Sequence, residues 1–223
     1  MSLTLAPATQ ASTVYESLRR DLLNGRLVAG RKLLMRQLVD RYQAGQTPIR
    51  EALNRLVADG LVTCHDQRGF TATAISLEEL DELTRTRCWV EALALRHAMA
   101  AATPEWEEAL VLACHRLVRT PRSASADGYE EHPEWERMHR AFHRTLLRPC
   151  ASAPLIGFCE QLADRLYRYR QLSVTKSFPR RDIVTEHQAI LQAVLDGNVE
   201  GAVQRLMAHY EATAAIVRGD FGA

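Results

Sequence analysis

The stretch TPIREALNRLVADG, residues 47–60, constrains the chain more than any other. Thr47 is suited to cap a helix, Pro48 to its first position, where a missing N–H would be unpaired anyway, and Gly60 to a left-handed stop. Between them Ile49, Ala52, Leu53, Leu56 and Val57 recur at helical spacing, which predicts one buried stripe and turns Arg50, Glu51, Asn54 and Arg55 to solvent. Two guanidiniums and an amide on that outer face can contact phosphates and base edges in a major groove, Arg pairing with guanine and Asn with adenine. Any amphipathic surface helix also presents a polar face, so the neighbouring segments decide between the two readings.

Those neighbours fit a helix-turn-helix. Val14, Leu18 and Leu22 with Tyr15 and Leu23 predict a helix from residue 13, stopped at Asn24-Gly25. A short helix over 34–42 buries Leu38, Val39 and Tyr42, and Ala44-Gly45-Gln46 forms the turn into the third helix. Beyond Gly60, residues 61–64 read as a strand, 65–69 as a turn and 70–74 as the returning strand of a hairpin wing. Residues 1–10 lack periodicity and are expected as a flexible tail, with the winged helix-turn-helix over 11–75.

The formal net charge of the whole chain is only +1, which does not by itself favour nucleic acid. Residues 1–75, however, carry ten Lys+Arg against six Asp+Glu, and the remainder 18 against 21. The basic excess thus lies with the candidate DNA-reading helix, where phosphate neutralisation would use it.

In chain order, Val14-Tyr15-Glu16-Ser17-Leu18, Leu27-Val28-Ala29-Gly30, Thr47-Pro48-Ile49-Arg50-Glu51-Ala52-Leu53, Asp59-Gly60-Leu61-Val62 and Arg68-Gly69-Phe70 resemble the DNA-binding domain of GntR-type transcription regulators. The resemblance implies a homodimer on palindromic operator DNA, with third helices in successive major-groove segments and the wing at the minor groove. Matched by position, Arg36, Gln46, Thr47, Arg50, Asn54, Arg68 and Gly69 are then the DNA contacts. Where the family usually has Ser-Arg this chain has Gly45-Gln46, and Gln46 favours adenine where Arg favours guanine.

Ser76-Leu77-Glu78-Glu79 is a capping box that opens a helix to about residue 102. Further helices are expected over 104–119, 133–147 and 153–174, with a polar loop at 123–128 and another at 176–179. A final pair meets at Asp196-Gly197-Asn198, Gly197 as stop and Asn198 as the next cap. No strand-like alternation follows Ala74, so the fold class is mainly α: a winged helix-turn-helix with a small β-hairpin wing, then an all-helical bundle over 76–223 for effector binding, metal binding and dimerisation.

His139 and His143 lie at i, i+4 and share a helix face, the spacing with which two imidazoles grip one metal. His187 precedes Gly197 by ten residues and His209 follows it by twelve, about 15 and 18 Å from the turn, which levels them in an antiparallel hairpin. The two pairs can therefore converge inside a bundle, or each histidine can be a partly buried or surface residue satisfied by hydrogen bonds.

Arg87-x-x-x-Glu91, Phe142-His143-x-x-Leu146, Tyr169-Arg170, Glu186-His187-x-x-Ile190-Leu191 and His209 resemble the ligand-binding domain of the FadR/FCD branch of the same regulators. In its metal-binding members one Asp or Asn and three His face an internal cavity, and the matching positions are His139, His143, His187 and His209, His139 being a departure. An all-imidazole set favours Zn, Ni, Cu or Fe over Mg or Ca, Zn or Ni foremost. Such a positive centre suits a small organic-acid or sugar-acid effector. Arg87 either adds a bidentate carboxylate contact or pairs with Glu91; Arg170 is an effector contact or a solvated charge, and Tyr169 an effector contact or a packing residue. Trp89, Trp106 and Trp135 are expected to pack helices, with Trp89 a candidate for the cavity wall.

No run of about 20 apolar residues and no signal peptide is present, which predicts a cytoplasmic protein without membrane contact. The five cysteines are scattered without a C-x-x-C pair and read as reduced thiols. The expectation is a non-enzymatic, effector-controlled repressor. The alternatives are a metal-dependent hydrolase, which would leave the winged helix unexplained, and a helical domain that only dimerises around a vestigial metal site.

Overall fold

The computed structural model describes residues 9–125, 127–177 and 181–221. The chain divides into two compact units, Met1–Ser76 and Leu77–Ala223. Residues 1–8, most of the expected tail, lie outside the described residues, as do 178 and 179 of the loop expected at 176–179 and the following residue 180.

The first unit contains α1 (Gln10–Leu23), β1 (Lys32–Leu33), α2 (Met35–Tyr42), α3 (Gln46–Ala58), β2 (Val62–His65) and β3 (Gly69–Ala72). Helix α1 starts earlier than the periodicity indicates because the Thr9 side chain accepts from the Ser12 N–H. The α3 stripe is buried as its spacing dictates, with Ile49, Ala52, Leu53 and Leu56 at 0% exposure and Val57 partly covered. The helix ends in a Schellman motif: Gly60 at φ 73° donates to the Val57 carbonyl, and the Leu61 N–H bonds the Leu56 carbonyl at 3.0 Å.

The expected cap is displaced. Gly45 occupies the N-cap in an extended conformation, so Thr47 is the second helical residue and Pro48 the third. Both positions fall within the first four N–H groups, which have no intrahelical acceptor, so Pro48 costs the helix no bond there. The wing is also larger than a hairpin. β3 pairs antiparallel with β2, Val62 opposite Ala72 and His65 opposite Gly69, and on its other edge with β1, Lys32 opposite Thr71. Buried Asp21 ties α1 to α2 by accepting from the Tyr42 hydroxyl and Arg41, both at 2.7 Å.

The second unit comprises α4 (Leu77–Ala100), α5 (Pro104–Arg119), α6 (Pro133–Leu147), α7 (Ala153–Ser177), α8 (Ile183–Leu195) and α9 (Val199–Phe221), with one 3-10 turn at Arg148–Cys150. Helix α7 continues to Ser177, through the first residues of the loop expected at 176. Thr103, His132 and Asp182 cap α5, α6 and α8. Gly197 at φ 65° turns the chain between α8 and α9, and the Asn198 side chain accepts from the Gly201 N–H. Among the described residues the core draws on all six helices, Cys159 from α7, with Leu95, Leu110, Phe142, Leu146, Ile190 and Leu206 fully covered. Among the described residues no helix is long and apolar enough to cross a membrane.

Candidate metal centre and nucleic-acid interface

In the first unit every sequence-predicted DNA contact is exposed: Arg36 on α2, Gln46, Thr47, Arg50 and Asn54 on α3, and Arg68 and Gly69 at the wing tip. Gln67 at φ 58° and Gly69 at φ 84° shape that tip, and the Arg68 N–H closes it on the His65 carbonyl at 3.1 Å. Arg55 shares the outer face of α3 but is used internally. Its guanidinium lies 3.9 Å from the centre of the Tyr15 ring on α1, and the Tyr15 hydroxyl donates to Asp59 at 2.7 Å. These contacts fix α3 against α1.

In the second unit α6 supplies His139 and His143, α8 His187 and α9 His209, and one ring nitrogen from each lies within 4.8 Å of all the others. His143, His187 and His209 are 7, 0 and 6% exposed. His143 Nε2 is 3.2 Å from His139 Nε2 and 3.3 Å from His187 Nε2. A tetrahedral set with metal–nitrogen bonds of about 2.0–2.1 Å places neighbouring nitrogens about 3.3 Å apart, close to these spacings.

The outward nitrogens assign the tautomers. His187 Nδ1 meets the Ile183 carbonyl at 2.7 Å, and a carbonyl only accepts, so Nδ1 carries the proton. His209 Nδ1 donates to Glu186 Oε2 at 2.7 Å. The Tyr210 hydroxyl donates to Glu91, so at 3.1 Å its oxygen accepts from His143 Nδ1. Three Nε2 lone pairs therefore turn toward one another, a repulsive arrangement that a cation among them converts into coordination. Protonation is the other remedy, and burial opposes it: desolvation, then the neighbouring imidazoles, push His139 and His143 well down, His187 to about 3, and desolvation takes His209 to about 4. The donor set thus fits a divalent transition metal.

A carboxylate held by an arginine stands behind three of the four rings. Arg87 Nε bonds Glu91 at 2.7 Å and lies 3.8 Å from the Tyr210 ring centre, which backs His143. Arg181 bonds both Glu186 oxygens, which back His209; burial alone would raise Glu186, but His209 and Arg181 hold it at about 2. Arg170 pairs with Glu136, whose carboxylate is 3.6 Å from His139 Nδ1, and the His139 ring stacks on Trp135 at 4.9 Å. Such outer partners orient ligating imidazoles and raise their basicity.

This arrangement changes several expectations. Arg87 is committed to Glu91, the pairing that its i, i+4 spacing allows. Arg170 is a buried partner of Glu136 and not a solvated charge. Tyr169 is buried with its hydroxyl turned to Glu79. Trp89, 65% exposed, neither packs the core nor lines the centre. Sequence reasoning gave no role to Glu136, Arg181 and Tyr210, nor to Glu186, which it read only as part of the motif around His187. Glu136 stands three residues before His139, Glu186 next to His187 and Tyr210 next to His209, which are readable signals; Arg181, in the turn before α8, has none.

Residues 10–71 match the family model described as bacterial regulatory proteins of the gntR family, and residues 82–212 match the FCD domain. The chain is 34% identical over 204 residues to the HTH-type transcriptional regulator BphR of Paraburkholderia xenovorans, covering 92% of this chain and 83% of that protein. It is 30% identical over 199 residues to the HTH-type transcriptional repressor GlaR of Escherichia coli, covering 87% and 90%. Among solved structures, E. coli McbR/YncC aligns with a TM-score of 0.76 at 22% identity over 96% of this chain and 99% of that one, a likeness of fold.

Proposed function

The chain belongs to the GntR family of DNA-binding transcriptional regulators and carries an FCD effector-binding domain, and on that premise we propose a metal-dependent repressor released from its operator by a small carboxylate. The metal, Zn or Ni foremost, is held by His139, His143, His187 and His209. The observation that carries this reading is the convergence of three Nε2 lone pairs in a buried site whose outward nitrogens are all engaged. When bound, the ion would supply a positive centre that attracts a carboxylate. The three arginine–glutamate pairs keep the imidazoles in their ligating tautomer and bring no net charge of their own.

GntR regulators bind operator DNA and typically dimerise; a homodimer here would present two copies of α3 to a palindromic site. The exposed Arg36, Gln46, Thr47, Arg50, Asn54, Arg68 and Gly69 are the contacts in this reading, and the repressor assignment is supported by the name of its relative GlaR. An effector alters DNA affinity only by binding the DNA-competent and DNA-incompetent states unequally. The test is a gel-retardation titration of zinc-loaded protein on its operator with increasing acid. Operator release is expected; unchanged affinity at saturating acid removes the coupling.

A further inference from the structure

The four imidazoles are not held alike. His187 Nδ1 donates to the Ile183 carbonyl at 2.7 Å, His209 Nδ1 to Glu186 at 2.7 Å and His143 Nδ1 to the Tyr210 hydroxyl at 3.1 Å. Each of these rings has its outward nitrogen tied, which fixes its rotation and keeps the Nε2 lone pair aimed at the common centre. His139 Nδ1 stands 3.6 Å from Glu136, beyond hydrogen-bond reach, and that carboxylate accepts from Arg170 with both oxygens.

What holds His139 is a ring face. Its imidazole lies on Trp135, one helical turn earlier on α6, with centroids 4.9 Å apart and planes 13° from parallel. Stacking keeps a ring in its plane but names no partner atom, so sliding or turning within that plane costs little. The His139 side chain is also 13% exposed, against 6% for His209.

Four imidazoles fill a tetrahedral site, so an incoming donor needs either a fifth position or one of the four. Departure of His187, His209 or His143 would break its bond to Ile183, Glu186 or Tyr210 and leave buried polar groups unpaired. Departure of His139 gives up a stack, and Glu136 keeps its bonds from Arg170.

We propose that His139 is the displaceable member of the set: His143, His187 and His209 hold the metal, and His139 closes the remaining position until a small carboxylate takes it. The exchange breaks one nitrogen–metal dative bond and forms one oxygen–metal bond, with no change of oxidation state and no proton moved. The inference rests on the metal-centre reading above and assigns its regulation to one residue.

Chelator competition for zinc and the absorption bands of the cobalt-loaded full chain, titrated with acetate, test it. His139→Ala is expected to lower zinc affinity by no more than about tenfold, against about a hundredfold or more for His187→Ala. Acetate should change the parent's cobalt bands, and the acetate-saturated spectra of parent and His139→Ala should coincide. The variant should bind acetate about tenfold or more tighter, having no imidazole to displace. His139→Phe keeps a ring on Trp135 while removing the donor and should behave like His139→Ala, which guards against a loosened α6. Saturated spectra that differ, equal acetate affinity in parent and variants, or zinc losses as large for His139→Ala as for His187→Ala overturn the proposal. So do parent bands that acetate leaves unchanged, a readout that needs no variant. A parent that takes up neither zinc nor cobalt removes the metal-centre reading itself, and this proposal with it.

Discussion

On α3 the stripe Ile49, Ala52, Leu53 and Leu56 goes inward and the groups proposed to read DNA stay in water, whereas at the histidine centre the functional groups are themselves interior. Folding places Arg50 and Asn54 by burying other residues, so one helix and its caps suffice. The four imidazoles need three helices brought together and, behind them, Glu91, Glu136, Glu186 and Tyr210 in register. The first region separates function from stability. The second joins them, because a buried polar group must be paired to be tolerated at all.

The sharpest contrast is expected at Arg50. Arg50→Ala should cost about 1–3 kcal/mol of specific operator affinity while changing stability by no more than about 0.5 kcal/mol, read from gel retardation beside urea melts. A comparable loss of stability would mean that α3 does not keep the two apart. At the proposed metal centre, Glu186→Gln leaves all four imidazoles present but replaces the carboxylate behind His209. Zinc affinity measured by chelator competition should fall about 10–100-fold; an unchanged value would make Glu186 a surface charge of no consequence to the site.

Tyr15 probes the internal support of α3. Tyr15→Phe removes the bond to Asp59 and should cost about 1 kcal/mol near pH 8. Burial, followed by the Asp59 bond, raises the phenol from 10.0 to about 12 in the folded protein. The folded state therefore favours the protonated phenol: its contribution is complete below pH 10 and lost as pH rises through 12. The stability gap between parent and variant should accordingly narrow in urea melts taken from pH 8 to 11. The smallest effect belongs to Thr47→Ala, which should alter stability by less than about 0.5 kcal/mol because Gly45 is the cap; a loss near 1 kcal/mol would restore Thr47 to that role.

The two regions also differed in how far they could be read in advance. The α3 stop was legible because Gly60 is one of few residues that accept a left-handed backbone at no cost, but its start was not, since Thr and Pro are tolerated at several positions of a first helical turn. Strand β1 has two residues, too few for any alternation to show. Counting from Gly197 levelled His187 with His209, and i, i+4 spacing paired Arg87 with Glu91, because both follow from helix geometry alone. Arg181 was invisible: it lies in a turn, and its contacts with His209 and Thr213 span 28 and 32 residues. Local periodicity does not report such long-range closure.

The most direct test of the metal centre is elemental analysis of dialysed protein beside a His143→Ala/His187→Ala variant, with melting temperature recorded before and after zinc addition. About one transition-metal ion per chain in the parent and none in the variant, with zinc raising only the parent's melting temperature, is the predicted result. A parent that dialyses metal-free and melts at the same temperature with excess zinc would contradict it.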